Sequence, residues 1–209
     1  MDIRMDGRNV HYIDQGDGPA VLLLHGWGAP AQTYRLIIDH LSAYCRVIAP
    51  DLPGFGGSEE PPEPWDAGKY ADFAADFAAA LGLTEAVLIG HSNGGRILLK
   101  WLGRGDCPLR VKKLVLIDAA GIKPRYGAGY YGKVYTYKLA KKILQLPGVR
   151  HLFPDAVERL RGRAGSADYR SASPMMKQCM NLALAEDMSA YLPKIQASTL
   201  LIWGENDTA

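Results

Sequence analysis

The run Gly90-His91-Ser92-Asn93-Gly94-Gly95 fits the pattern G-x-S-x-G, with one further glycine behind it. It follows a short apolar run at residues 86–89 and precedes a helix-compatible segment at residues 96–102. Strand, tight turn and helix in that order give the pattern chemical meaning; without them it is an ordinary glycine-rich turn. Small residues around Ser92 permit a sharp reversal that lifts its hydroxyl clear of a sheet. The first N–H groups of the following helix then face any oxyanion forming there.

Working outward, strand-like and helix-like segments alternate. Residues 9–14 alternate polar and apolar side chains and end at the turn Gly16-Asp17-Gly18. Residues 20–24, 86–89, 114–117 and 199–203 are short apolar runs, as expected of strands buried on both faces, and 45–49 is strand-like. Residues 32–43 are helix-compatible, and 70–81 place Phe73, Phe77 and Leu81 on one helical face before Gly82. This alternation predicts an α/β protein: a mostly parallel sheet with helices on both faces.

Residues 122–194 break the pattern. They carry 13 basic and five acidic side chains, whereas residues 1–121 carry 11 and 15. Tyr131, Tyr135, Leu139 and Ile143 form an i+4 row, expected to pack inward, with Lys138, Lys141 and Lys142 largely off it. A second helical stretch spans 175–191, where Met175, Met176 and Met180 suit either an adaptable apolar pocket or plain core. The expected organisation is a first core part at 1–121, a helical lid at 122–194, and the start of a second core part at 195–209. The basic lid reads as a solvated face; steering of anionic substrates and weak contact with an anionic membrane surface are the sharper readings.

Composition narrows the function classes. The chain has 209 residues, 48% hydrophobic and 22% charged, so it is neither disordered nor low in complexity. A net charge of +2 gives no sign of a nucleic-acid binder. Cys45, Cys107 and Cys179 are scattered and without a C-x-x-C pair, which fits a reducing, cytoplasmic setting. The first residues lack the apolar core of a signal peptide, and no apolar run is long enough to cross a bilayer.

Three other segments sit where ligand sites form, beyond the carboxyl ends of strands. His25-Gly26-Trp27-Gly28 follows one strand; the Trp27 N–H, with that of Asn93, would supply two oxyanion donors, and the His25 side chain is read as structural. Residues 51–58, Asp51-Leu52-Pro53-Gly54-Phe55-Gly56-Gly57-Ser58, do not have G-x-G-x-x-G spacing and read as a loop. Trp203-Gly204-Glu205-Asn206-Asp207 follows the last strand, and a carboxylate there orients and charge-stabilises a histidine. Asp207 is the expected acid, with Asp118 the alternative. No phosphate-loop or H-E-x-x-H motif occurs, so no cofactor and no metal are expected.

With these pieces in order, H-G-W-G at 25–28, D-L-P-G-F-G-G-S at 51–58, G-H-S-N-G-G at 90–95 and W-G-E-N-D at 203–207, the sequence resembles the α/β-hydrolase superfamily. The likeness is to its lid-bearing type, which includes esterases, iminopeptidases and carbon–carbon bond hydrolases. The resemblance implies Ser92 as nucleophile, Asp207 as acid, and Trp27 and Asn93 as oxyanion donors. It implies a small-molecule acyl substrate, most simply a carboxylic ester. A serine at the turn argues against the relatives that use aspartate there, and the basic lid against the iminopeptidases. The family's catalytic histidine lies beyond the acid, yet His11, His25, His40, His91 and His151 all precede it. Neither His25 nor His151 is expected to replace it. The resemblance therefore implies a fragment in which the last helix and strand and the catalytic histidine are missing, nearly inactive by itself and with an apolar edge at 199–202. The alternative is a non-catalytic binding or interaction protein that keeps the pocket without the chemistry.

Overall fold

A computed structural model describes residues 1–123, 128–146 and 167–207. Seven strands form one sheet: β1 (Asp2–Met5), β2 (Arg8–Gln15), β3 (Ala20–Leu24), β4 (Arg46–Pro50), β5 (Glu85–His91), β6 (Arg110–Ile117) and β7 (Thr199–Ile202). Their order across the sheet is β1-β2-β4-β3-β5-β6-β7. Strands β4, β3, β5, β6 and β7 run parallel, and β2 joins β4 antiparallel. The mostly parallel sheet expected from the sequence is present.

Alternation along the central strands feeds two faces. Val21, Leu23, Val47, Ala49 and Ile89 pack with Ile38 of α1 (Arg35–Leu41) on one side. Their neighbours Leu22, Leu24, Ile48 and Leu88, also fully buried, point to the other side. There α2 (Ala67–Ala80) and α3 (Asn93–Arg104) cover the sheet, and Phe77 of α2 meets Tyr12 of β2 edge-on at 5.5 Å. The Asp66 side chain caps α2 by accepting from the Lys69 N–H at 2.9 Å.

The chain divides into two compact units, one running up to Ile122 and resuming at Ser173, the other Lys123–Ala172. The second unit holds α4 (Ala128–Leu144) and α5 (Ala167–Ser171). The expected lid at 122–194 is thus split, because residues 173–194 belong to the core unit. The reason lies in α6 (Pro174–Ala185), whose Met176, Cys179 and Ala183 are buried. Arg96 of α3, itself buried, donates to the carbonyls of Ala183 and Glu186 at the end of α6. Met176 packs against Gly54, so it is core. In α4, Tyr135, Leu139 and Ile143 are exposed, against the inward packing expected of that row. The side chain of Tyr131 lies outside the described residues.

Candidate active site

Ser92 is the residue between β5 and α3, at φ 47° and ψ −112°. A non-glycine residue with positive φ is strained and persists only where its surroundings over-determine it. Here the Ser92 N–H donates to the Ile117 carbonyl at 3.1 Å. The Ser92 carbonyl accepts from Ala120 at 3.0 Å and from Arg96 at 3.2 Å. A Cβ on Gly94 would lie 2.1 Å from the Leu24 carbonyl oxygen, so only glycine lets α3 start this close to the end of β3. Asn93 opens α3, where an N–H has no intrahelical acceptor.

The loop after β3 lies against this turn. A Cβ on Gly26 would be 3.3 Å from the Ser92 Cβ. His25 is fully buried: its Nε2 accepts from the Leu52 N–H at 2.8 Å, and its Nδ1 lies 2.7 Å from the Gly26 carbonyl oxygen. A carbonyl only accepts, so the proton is on Nδ1 and the ring is neutral. Burial holds the imidazole below its ordinary pKa, against the opposing pull of the Gly26 carbonyl and Asp51. Both ring nitrogens are committed to the backbone. Because the Gly26–Trp27 peptide is trans, pinning its carbonyl turns the Trp27 N–H the opposite way. That N–H has no acceptor among the described residues. The Trp27 ring sits edge-on to Phe55 at 4.9 Å.

Asp51 explains the loop at 51–58. Its carboxylate accepts from Ala31 at 2.6 Å and Gly57 at 2.8 Å, and its carbonyl accepts from the Ser58 hydroxyl at 2.6 Å. The loop is fastened from inside.

The two candidate acids lie together. His91 pairs with Ile117, and Ile117 with Ile202, so Ser92, Asp118 and the 203–207 turn leave three adjacent strands at one level. Asp118, at φ 41°, accepts the Gly204 N–H at 2.8 Å, and the Asp207 N–H donates to the Gly204 carbonyl at 3.0 Å. Asp118 therefore anchors the turn that carries Asp207.

The other histidines are placed as follows. His11 Nδ1 is 3.1 Å from Asp2 Oδ1, and His40 on α1 neighbours Tyr44. His91 Nδ1 lies 2.6 Å from the Tyr34 hydroxyl, which also accepts the Gly26 N–H at 3.2 Å. His151 lies outside the described residues. No cluster of three metal-ligating side chains occurs among the described residues, and no described helix is long and apolar enough to cross a membrane. Sequence reasoning missed Tyr34, which belongs to no motif; only the fold brings residues 26, 34 and 91 together.

A parallel sheet with a strained serine at the β5–α3 turn, faced by a glycine loop from β3, defines an α/β-hydrolase fold. The chain belongs to that family: residues 19–209 match the alpha/beta hydrolase fold. It is 32% identical over 215 residues to the 2-hydroxymuconate semialdehyde hydrolase of Pseudomonas sp. strain CF600, covering 95% of this chain and 73% of that one. An uncharacterized protein of Mycobacterium tuberculosis is 34% identical over 107 residues, 51% of this chain and 31% of that protein. The chain thus spans less than a third of one relative's length and about three quarters of the other's. Among solved structures, a membrane phospholipase A described as a bacterial virulence factor superposes with TM-score 0.71 at 28% identity, over 99% of this chain and 70% of that one.

Proposed function

We propose that this protein is a serine hydrolase that cleaves a carboxylic ester or related small acyl substrate through an acyl-enzyme on Ser92. The observation that carries the reading is the strained Ser92 turn with Gly26 directly against it. In this reading Ser92 Oγ attacks the carbonyl carbon, and the N–H groups of Trp27 and Asn93 receive the oxyanion. Loss of the alcohol leaves the acyl group on Ser92, and water releases it as the acid. Asp207 orients the general base, with Asp118 holding its turn. The strands that end at Ser92 and at Trp203 are two strand spacings apart, about 9.6 Å, which leaves room for an imidazole between serine and acid.

The base is a histidine other than the four described ones. His25 has both nitrogens on backbone groups, His91 is tied to Tyr34, and His11 and His40 sit on β2 and α1. Ester turnover without such a base at Ser92 is expected to be slow. The free thiols of Cys45, Cys107 and Cys179 support a reducing compartment such as the cytoplasm. The surplus of basic side chains at 122–194, with Tyr135, Leu139 and Ile143 exposed in α4, supports attraction of anionic substrates or surfaces. Turnover of an anionic ester that falls with added salt would bear this out.

A second reading is favoured by the likeness to 2-hydroxymuconate semialdehyde hydrolase: the same serine and oxyanion donors acting on a carbon–carbon bond next to a carbonyl. The product of the complete open reading frame, and its Ser92→Ala variant, should be assayed on a p-nitrophenyl ester and on a chromogenic 2-hydroxy-6-oxo dienoate. Ester turnover lost in Ser92→Ala supports the first reading. Turnover of the dienoate alone supports the second, and ester turnover kept in Ser92→Ala refutes the acyl-enzyme.

A further inference from the structure

We propose that Tyr34 is a positioning residue for acyl transfer, its phenol joining the Gly26 N–H of the oxyanion loop to the His91 imidazole beside the nucleophile. The inference rests on the reading of Ser92 as nucleophile and Trp27 as oxyanion donor. The phenol oxygen is 3.2 Å from the Gly26 nitrogen and 2.6 Å from His91 Nδ1. The amide can only donate, so the phenol accepts there, and Nδ1 is the one acceptor that the described residues offer its own proton; donation to Nδ1 leaves the His91 proton on Nε2. Burial raises the Tyr34 pKa above its ordinary value, with the Gly26 N–H opposing, and the phenol keeps the proton it donates.

Tyr34 is itself held firmly. It closes the 3-10 turn Ala31–Tyr34, whose first N–H is bound by buried Asp51 at 2.6 Å. The residue Gly26 is therefore gripped from both ends, the carbonyl by His25 and the N–H by the phenol. With both groups fixed, rotation about Gly26 is blocked, and the direction of the Trp27 N–H is set before a substrate arrives. His91 and Ser92 are consecutive, so the same phenol sets the loop in register with the nucleophile. An oxyanion donor acts chiefly in the transition state, so loosening it lowers kcat and leaves KM in place.

The test uses the product of the complete open reading frame. Tyr34→Phe is expected to lower kcat on a chromogenic ester about tenfold, less than the about 10²–10³ for a deleted oxyanion donor, with KM unchanged. Amide exchange at Gly26 should speed up, and the His91 ring nitrogens should lose their fixed Nε2–H signature in nitrogen-15 spectra. His91→Asn keeps an acceptor near Nδ1 and should retain most turnover. His91→Leu should match Tyr34→Phe, and the double variant should be no slower than either. Wild-type kcat in Tyr34→Phe, a loss confined to KM, or a kcat loss with Gly26 exchange unchanged would each overturn the proposal. If Tyr34→Phe does not fold, the two His91 variants decide it by the same kcat comparison, equal rates overturning it. Ester turnover that survives Ser92→Ala refutes the acyl-enzyme reading separately. Gly26 exchange then decides the Tyr34 contact without reference to activity, and exchange unchanged in Tyr34→Phe overturns it.

Discussion

Replacing His25 by leucine probes how the fold builds the oxyanion loop. The leucine fills most of the imidazole's space but offers no polar atom. The Leu52 N–H then loses its partner at a site with 0% exposure, and the Gly26 carbonyl keeps only the 3.5 Å bond from the Ala29 N–H. An unpaired buried group costs about 1–3 kcal/mol, so the variant should be less stable by about that amount. For a domain of this size that corresponds to a fall in Tm of about 2–12 °C. Urea unfolding followed by the fluorescence of the four tryptophans measures it. Acid adds a second signature. Burial places the folded pKa of His25 below its ordinary value. Below about pH 6.5 the unfolded chain therefore takes up a proton that the folded chain refuses. This contribution is fully present above pH 6.5 and falls away on acidification by at most about 1.4 kcal/mol per pH unit until the folded pKa is passed. His25→Leu lacks that loss, so the gap between wild type and variant should narrow from pH 7.5 to pH 5. A variant within about 1 kcal/mol of wild type at pH 7.5, or a gap constant with pH, would refute the reasoning.

Two further substitutions test the surroundings. Gly94→Ala places a Cβ 2.1 Å from the Leu24 carbonyl oxygen, so α3 or the end of β3 must shift. Such overpacking costs about 1–3 kcal/mol by urea unfolding, and a displacement near 1 Å lowers ester turnover about 10²-fold; unchanged values would sink the close-approach argument. Asp207→Asn and Asp118→Ala separate the two acids: the first should lower kcat by up to about 10⁴. The second loosens the Gly204 anchor at an exposed site and should cost about 1 kcal/mol or less with a smaller loss of turnover. The reverse order would make Asp118 the acid.

Much of the fold was legible because parallel strands buried on both faces write themselves as apolar runs. Residues 20–24 coincide with β3, and 199–203 with β7 to within one residue. β6 starts at Arg110, ahead of the run at 114–117, because Arg110, Lys112 and Lys113 are exposed and polar. β1 went unseen although Asp6-Gly7, both at positive φ, is a two-residue hairpin signal. Within 122–194, helical period shows that a helix has an apolar face but not what it packs on. Arg96, which joins α3 to the end of α6, is unremarkable in the sequence. At the site, motifs gave Ser92, Gly26 and the turn to Asp207, since each needs a particular residue at a strand end. The contacts of Tyr34 and the anchor from Asp118 to Gly204 join residues far apart in the chain, and no local pattern carries them.

Mass spectrometry reads out directly whether Ser92 carries a covalent acyl group during turnover. The product of the complete open reading frame is mixed with a p-nitrophenyl ester, quenched within the first turnover and digested. An acyl group on the peptide containing Ser92, absent from Ser92→Ala, is the expected result. Acylation at another residue, or ester turnover in Ser92→Ala equal to wild type, would contradict it.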